Sequence, residues 1–174
     1  MKKTLLTLTI ILLTMATAMA GSDLTVKRGN KKFIKEAKGV ATLEFNFEGA
    51  TFDDKMPLTD KYPDIALLQK LAWDGFVEEF NDRCKNLQVV PDIDKVDYKI
   101  SMKVTKIDHF VNVMGFIPGL CVRAWGTVTI TDAKTGEVVL EVYVDEIDGG
   151  ANPSPDGAFS DCFEELGKQF SKLK

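Results

Sequence analysis

His109 is the only histidine in the chain, so counting alone excludes a multi-histidine metal centre. A serine, histidine and acid triad would have to use it. No serine sits in a nucleophile-elbow context, and Ser160 opens a helical stretch, so His109 is expected as an ordinary residue on the exposed face of a sheet. Cys84, Cys121 and Cys162 are three, and in an exported chain an odd number invites one pair and one leftover thiol. Cys121 lies in a loop that can adjust to the narrow distance window of a disulfide, so the expected bridge is Cys121 with Cys162, leaving Cys84. The alternative is three small buried apolar residues. No Cys-x-x-Cys spacing is present, which argues against a thiol oxidoreductase. Asp92, Asp94 and Asp97 offer hard oxygen ligands, yet the spacing lacks the glycine and distal glutamate of a calcium loop. Like Asp53 and Asp54, they are expected as solvated turn acids. Neither a phosphate-binding loop nor a dinucleotide fingerprint occurs, and no cofactor or metal is expected.

The segment Phe110 to Cys121 departs most from ordinary loop chemistry. It carries Met114, Phe116, Ile117 and Leu120, with Gly115, Pro118 and Gly119 to break regular structure, whereas loops are normally polar. Two readings stand: a flap folded over the helices, or an apolar contact site for a partner. Trp125 and Tyr143 sharpen the second. Each alternates with the inward row of its strand, so both rings should point to the sheet face without helices, as cover for a small second core or as a binding platform.

The elements that must position these residues are legible in the apolar periodicity. Ala41, Leu43, Phe45 and Phe47 alternate with polar residues as in a half-buried strand. From Asp64 to Asn86 the positions Leu68, Leu71, Ala72, Phe76, Phe80 and Cys84 recur at helical spacing, with Gly75 beside them for a close approach of helix to sheet. Leu87 to Val90 is a short strand, expected parallel to the first because a helix connects them. A longer strand starts near Val96, with Tyr98, Ile100, Met102 and Val104 inward. The phase then slips to Ile107, His109, Val111 and Val113, which places a bulge near Thr105-Lys106. Val122 to Ile130 and Val138 to Val144 form a hairpin about Asp132–Gly136, and Phe159, Cys162, Phe163, Leu166, Phe170 and Leu173 share one face of a closing helix. The fold class is therefore α+β, a two-layer sandwich of a mixed sheet of about five strands with two helices on one face.

An apolar run from Leu5 to Ala20 follows Lys2-Lys3 and ends in Ala18-Met19-Ala20, the pattern of a secretory signal peptide. Residues 1–20 are expected to be removed, 21–39 to form a basic N-terminal arm, and 40–174 a single domain. Gly21 follows the expected cut, so no cysteine is placed for a lipid anchor and the product is expected in the periplasm or outside the cell. The chain's net charge of −4 becomes more negative once the two leader lysines leave, which disfavours nucleic acid as a partner. Lys27, Arg28, Lys31, Lys32 and Lys35 cluster after the cut. They are expected to be solvated, or at most to give peripheral contact with an anionic membrane, about 1 kcal/mol per basic residue near the surface.

The run from Val128 to Leu140 (Val-Thr-Ile-Thr-Asp-Ala-Lys-Thr-Gly-Glu-Val-Val-Leu), with Ala158-Phe159 and Leu166-Gly167-Lys168 in the closing helix, resembles small secreted envelope proteins of Bacteroidales bacteria with no assigned function. The resemblance covers roughly residues 40 to 174. More remotely, the element order is similar to the α/β domain of the Tol-system translocation protein's amino-terminal part and of the curli-secretion lipoprotein, whose lipidated cysteine this chain lacks. The resemblance implies work in cell-envelope assembly. The functional expectation is an exported, non-enzymatic binding or assembly module with an envelope protein partner, contacting it through Met114, Phe116, Ile117, Leu120, Trp125 and Tyr143. The alternative is a small-ligand or inhibitor-type binding protein using the helix-free sheet face.

Overall fold

Apolar alternation is longest between residues 98 and 152, and there the chain builds its three longest strands. A computed structural model describes residues 23–91, 95–112 and 119–173. In chain order the elements are β1 (Leu24–Gly29), α1 (Phe33–Glu36), β2 (Gly39–Asn46), β3 (Thr51–Phe52), β4 (Met56–Pro57), α2 (Leu58–Lys61), α3 (Ile65–Arg83), β5 (Leu87–Val89), β6 (Tyr98–Asn112), β7 (Gly119–Asp132), β8 (Val138–Asn152) and α4 (Pro155–Ser171). The protein is α+β, with a mixed sheet of eight strands and four helices among the described residues. The expected count of about five strands is too low, because β1, β3 and β4 are too short or too polar to show a hydrophobic period.

The main path of the sheet runs β1-β8-β7-β6-β2-β5, and the β3–β4 hairpin attaches to β6 through β3. β2 is parallel to both β5 and β6, while β6, β7 and β8 form an antiparallel meander. The register of β6 on β7 shifts between Val104 and Lys106, which is the bulge that the phase slip requires. On its two sides Ile100, Met102, Val104 and Ile107 are all buried. The β7–β8 turn is fixed by Asp132, whose carboxylate accepts the backbone N–H groups of Lys134 (2.8 Å) and Thr135 (2.9 Å), and by Gly136 at φ +73°. Those N–H groups hold the Asp132 carboxyl below its ordinary value.

The basic segment expected as a solvated arm is in part the edge of the sheet. β1 pairs antiparallel with β8 from Leu24↔Val144 to Gly29↔Leu140, and Ile34 of α1 is buried. Alternation was hidden there because Leu24 and Val26 are the two apolar residues of β1 and are followed by Lys27 and Arg28.

Both long helices start on side-chain caps: Asp64 accepts from Leu67 N (3.0 Å), and Ser154 accepts from Gly157 N (3.3 Å) with Pro155 at the first turn. Their inner faces meet the same side of β2. Phe45 makes edge contacts with Phe76 of α3 and Phe163 of α4, at centroid distances of 6.0 and 5.0 Å. The two helices run parallel: Gly75 lies against Ser160 and Glu164, Gly167 against Phe76, and Phe80 against Phe170. Gly75 thus serves an approach of helix to helix rather than helix to sheet. A Cβ at Gly75 would collide with the Ser160 carbonyl oxygen, and one at Gly167 with that of Phe76.

We predict that Gly75→Ala destabilises the protein by up to about 2 kcal/mol in urea unfolding. Forcing the helices apart costs about 1–3 kcal/mol, more than the ~1 kcal/mol that alanine gains over glycine in a helix interior. A stabilised variant would show that the helices yield at this point.

Candidate functional site

Strand pleating separates the side chains of β6, β7 and β8 into a core-facing set and an open set. On β7 the buried Val122, Ala124, Gly126, Val128 and Ile130 alternate with the half-buried Arg123, Trp125, Thr127, Thr129 and Thr131. Trp125 and Tyr143 therefore lie on the side away from α3 and α4. Both rings already carry a cation: Lys106 Nζ stands 4.0 Å from the Trp125 centroid, and Lys27 Nζ 5.3 Å from that of Tyr143.

Arg123 organises the upper part of this face. Its guanidinium donates to Asp108 (2.6 Å) and Glu146 (3.0 Å) and lies 4.9 Å from the Phe110 ring and 5.6 Å from the Trp125 ring. Its Nε is buried and has no hydrogen-bond partner. Lys106 continues the network to Asp54 at 2.8 Å. Asp53, Asp54 and Glu146, the non-glycine residues with positive φ among the described residues, all border this cluster. Asp53 pairs with Lys55 in the β3–β4 turn, so Asp53 and Asp54 shape a turn and supply ion pairs. The sequence conceals this grouping: Lys106 comes opposite Trp125 only through the β6–β7 register across the Thr105 bulge.

Beyond the cluster, β6 and β7 run on to an apolar end. Phe110 and Val111 are 38% and 60% exposed, and Val111 pairs with the half-buried Leu120. Met114, Phe116 and Ile117 lie outside the described residues. So do Asp92 and Asp94. Asp97 is structural: its carboxylate accepts from Val40 N (3.2 Å) and sits 3.7 Å from Lys134 Nζ. Among the described residues no group of three or more His, Cys, Asp or Glu side chains is placed to hold a metal ion.

The single histidine is not on the open face as expected. After the bulge His109 shares the side of buried Ile107, with the Phe52 ring at 4.7 Å and the Tyr62 hydroxyl 3.4 Å from Nδ1. Desolvation first, and the Lys61 charge second, lower its pKa from the ordinary 6.5.

The three cysteines are buried free thiols, so the expected Cys121–Cys162 bridge is not formed. Cys162 Sγ instead donates to the Ile147 carbonyl at 3.4 Å. Cys84 lies apart from Cys162, which is near the start of α4. Because α3 and α4 are parallel, it caps the far end of α3, level with the end of α4. Burial pushes the Cys84 thiol up to about 11 and raises Cys121 and Cys162 as well, which leaves all three poor nucleophiles.

Sequence reasoning also missed a groove of about 600 Å³ between the β2–β4 segment and the start of α3. Phe47, Ala50, Met56 and Ile65 supply its apolar surface, and Glu48, Asp54 and Lys55 its charges. Met56, 41% exposed, lies on its rim.

No family model and no curated protein matches the chain. Among solved structures it is similar to the PelC dodecamer from Paraburkholderia phytofirmans, at 12% identity over 85% of this chain and 96% of that one, with a TM-score of 0.45. It is also similar to a Xanthomonas campestris protein of family DUF330 (14% identity, 86% and 91% covered, TM-score 0.40). A third is a putative neuraminyllactose-binding hemagglutinin homolog from Helicobacter pylori (10%, 79% and 85%, TM-score 0.35). Likeness this distant carries no functional argument.

The placement of His109 sets a pH dependence. Its folded-state pKa is below 6.5, so the unfolded chain takes up the proton first, and stability is lost as pH falls from 6.5 through the lowered value. Melting temperatures at pH 7.5 and 5.0 should therefore drop further for the wild type than for His109→Gln.

Proposed function

We propose that this chain is an exported, non-enzymatic binding or assembly module of the cell envelope that captures a protein partner through the end of the β6–β7 hairpin. The observation that carries this reading is the exposure of Phe110 and Val111 beside Leu120. They lie where β6 leads into a segment whose sequence adds Met114, Phe116 and Ile117. Clustered apolar surface on a polar protein marks a contact site. The leader-like run at residues 1–20 supports export, and no described helix is long and apolar enough to cross a membrane. The reactive groups support a binding role over catalysis: the thiols are buried with raised pKa values, and the lone histidine is packed against Phe52.

The small-ligand reading has weaker support. Trp125 and Tyr143 each have a lysine over one ring face, and the groove of about 600 Å³ lies elsewhere, beside β2 and α3. Trp125 and Tyr143 then act as cation-bearing parts of the sheet face, and Met114, Phe116, Ile117 and Leu120 as the contact.

Crosslinking in intact cells tests the reading. The double variant Phe116→Ser and Ile117→Ser should keep the wild-type circular dichroism spectrum and melting temperature while the crosslinked envelope adduct disappears. Loss of folding would identify the segment as core, and an unchanged adduct would remove the proposed contact.

A further inference from the structure

The open face of the sheet carries its charges in columns, one per strand. β1 presents Lys27 and Arg28; β8 presents Glu141, Glu146 and Asp148; β6 presents Lys99, Lys103 and Lys106, followed by Asp108; β2 presents Glu44. Between β8 and β6 lies β7, uncharged at Thr127, Thr129 and Thr131, with Arg123 above them held by Asp108 and Glu146. Below the Arg123 cluster, read across β1-β8-β7-β6-β2, the signs are positive, negative, neutral, positive, negative, so the pattern reverses about β7. Arg28, Glu44, Lys99, Lys103 and Glu141 make no ion pair among the described residues.

We infer that this face binds a second copy of the chain, the two sheets stacked about a two-fold axis that runs parallel to β7. Rotation about that axis lays β6 of one copy on β8 of the other and β2 on β1, while each residue keeps its position along the strand. Below the Arg123 cluster each charged column then meets its opposite, as an isologous interface requires. A two-fold axis across the strands would set each column against itself, lysine on lysine, so the charges select one arrangement.

The register gives the pairs. Glu141, Thr129 and Ser101 stand in one row across β8, β7 and β6, so Glu141 of one copy faces Ser101 of the other, between Lys99 and Lys103. Arg28 is in register with Glu141 and Glu44 with Ser101, so Arg28 and Glu44 occupy the two ends of that same row and meet across the interface. A depression of about 540 Å³ lined by Thr42, Glu44, Lys99, Ser101 and Thr131 lies where the incoming Arg28 would reach Glu44. Five strands at about 4.8 Å spacing, over the about 20 Å that β1 spans, offer about 500 Å² per partner, the size of a weak, concentration-dependent interface. This inference stands apart from partner capture by the hairpin end, since it uses only the sheet face.

Sedimentation equilibrium and light scattering on the purified protein test it. At about 100 µM and low salt the wild type should have the mass of two chains, and association should weaken at least about tenfold between 50 and 500 mM salt as the ion pairs are screened. E141K alone, and K99E/K103E alone, should each have the mass of one chain with an unchanged circular dichroism spectrum. Their equimolar mixture should recover the mass of two chains, because each variant then supplies the charge that the other lacks. F116S/I117S should leave the two-chain mass intact, which separates this face from the hairpin end. A wild type with the mass of one chain would overturn the inference. So would a salt-insensitive dimer, a dimer that survives both charge reversals, or a mixture of folded variants that fails to pair. Should a charge reversal disturb the fold, E141Q and the salt titration carry the test.

Discussion

Two helices of 17 and 19 residues must cover one side of a sheet six strands wide along its main path, and they succeed because they nearly touch backbone to backbone. Gly75 and Gly167 make that approach possible. With the helices this close, Phe45 bridges both of them, and Phe76, Phe80, Phe159, Phe163 and Phe170 form a continuous aromatic layer beneath. A wider crossing would split this layer and open voids that a close-packed interior does not tolerate. The parallel course of the helices follows from the strands before them: β2 and β8 point the same way, and each helix returns antiparallel to its strand.

That core consumes much of the chain's reactive chemistry. Cys162 and Cys121 are absorbed into the packing, Cys84 ends α3, and His109 packs edge-on against Phe52 at the rim of the sheet. The surface on the far side of the sheet keeps the charges and hydroxyls. The molecule is thus divided into an inert aromatic half and a charged face, with an apolar hairpin end at the margin between them.

What could be read from residue order was whatever depends on one element at a time. The period-2 row of β2, the helical stripe from Leu68 to Phe80, the Asp132–Gly136 turn and the Thr105 bulge are all local patterns. What stayed hidden depends on two elements meeting. The direction of α4 relative to α3 decided where Cys84 lies and what Gly75 touches, and no periodicity within either helix encodes it. The side on which His109 falls depended on carrying the bulge through to the end of β6. The Arg123 cluster required the β6–β7 and β7–β8 registers together, since Asp108 and Glu146 come from opposite neighbours. β1 was masked by its own cations, which are the usual protection of an exposed strand edge.

The position of β1 also has a consequence for when this protein can fold. The first strand of the sheet finds its partner in β8, between residues 140 and 144, so the closing ladder joins segments more than a hundred residues apart in sequence. Contacts of such long range form slowly and cannot form at all until the later segment has been synthesised. The nascent chain therefore holds an incomplete sheet through most of its production, with β1 unable to lock in place. A protein that completes its sheet with its last strand stays loosely folded for nearly the whole of its synthesis.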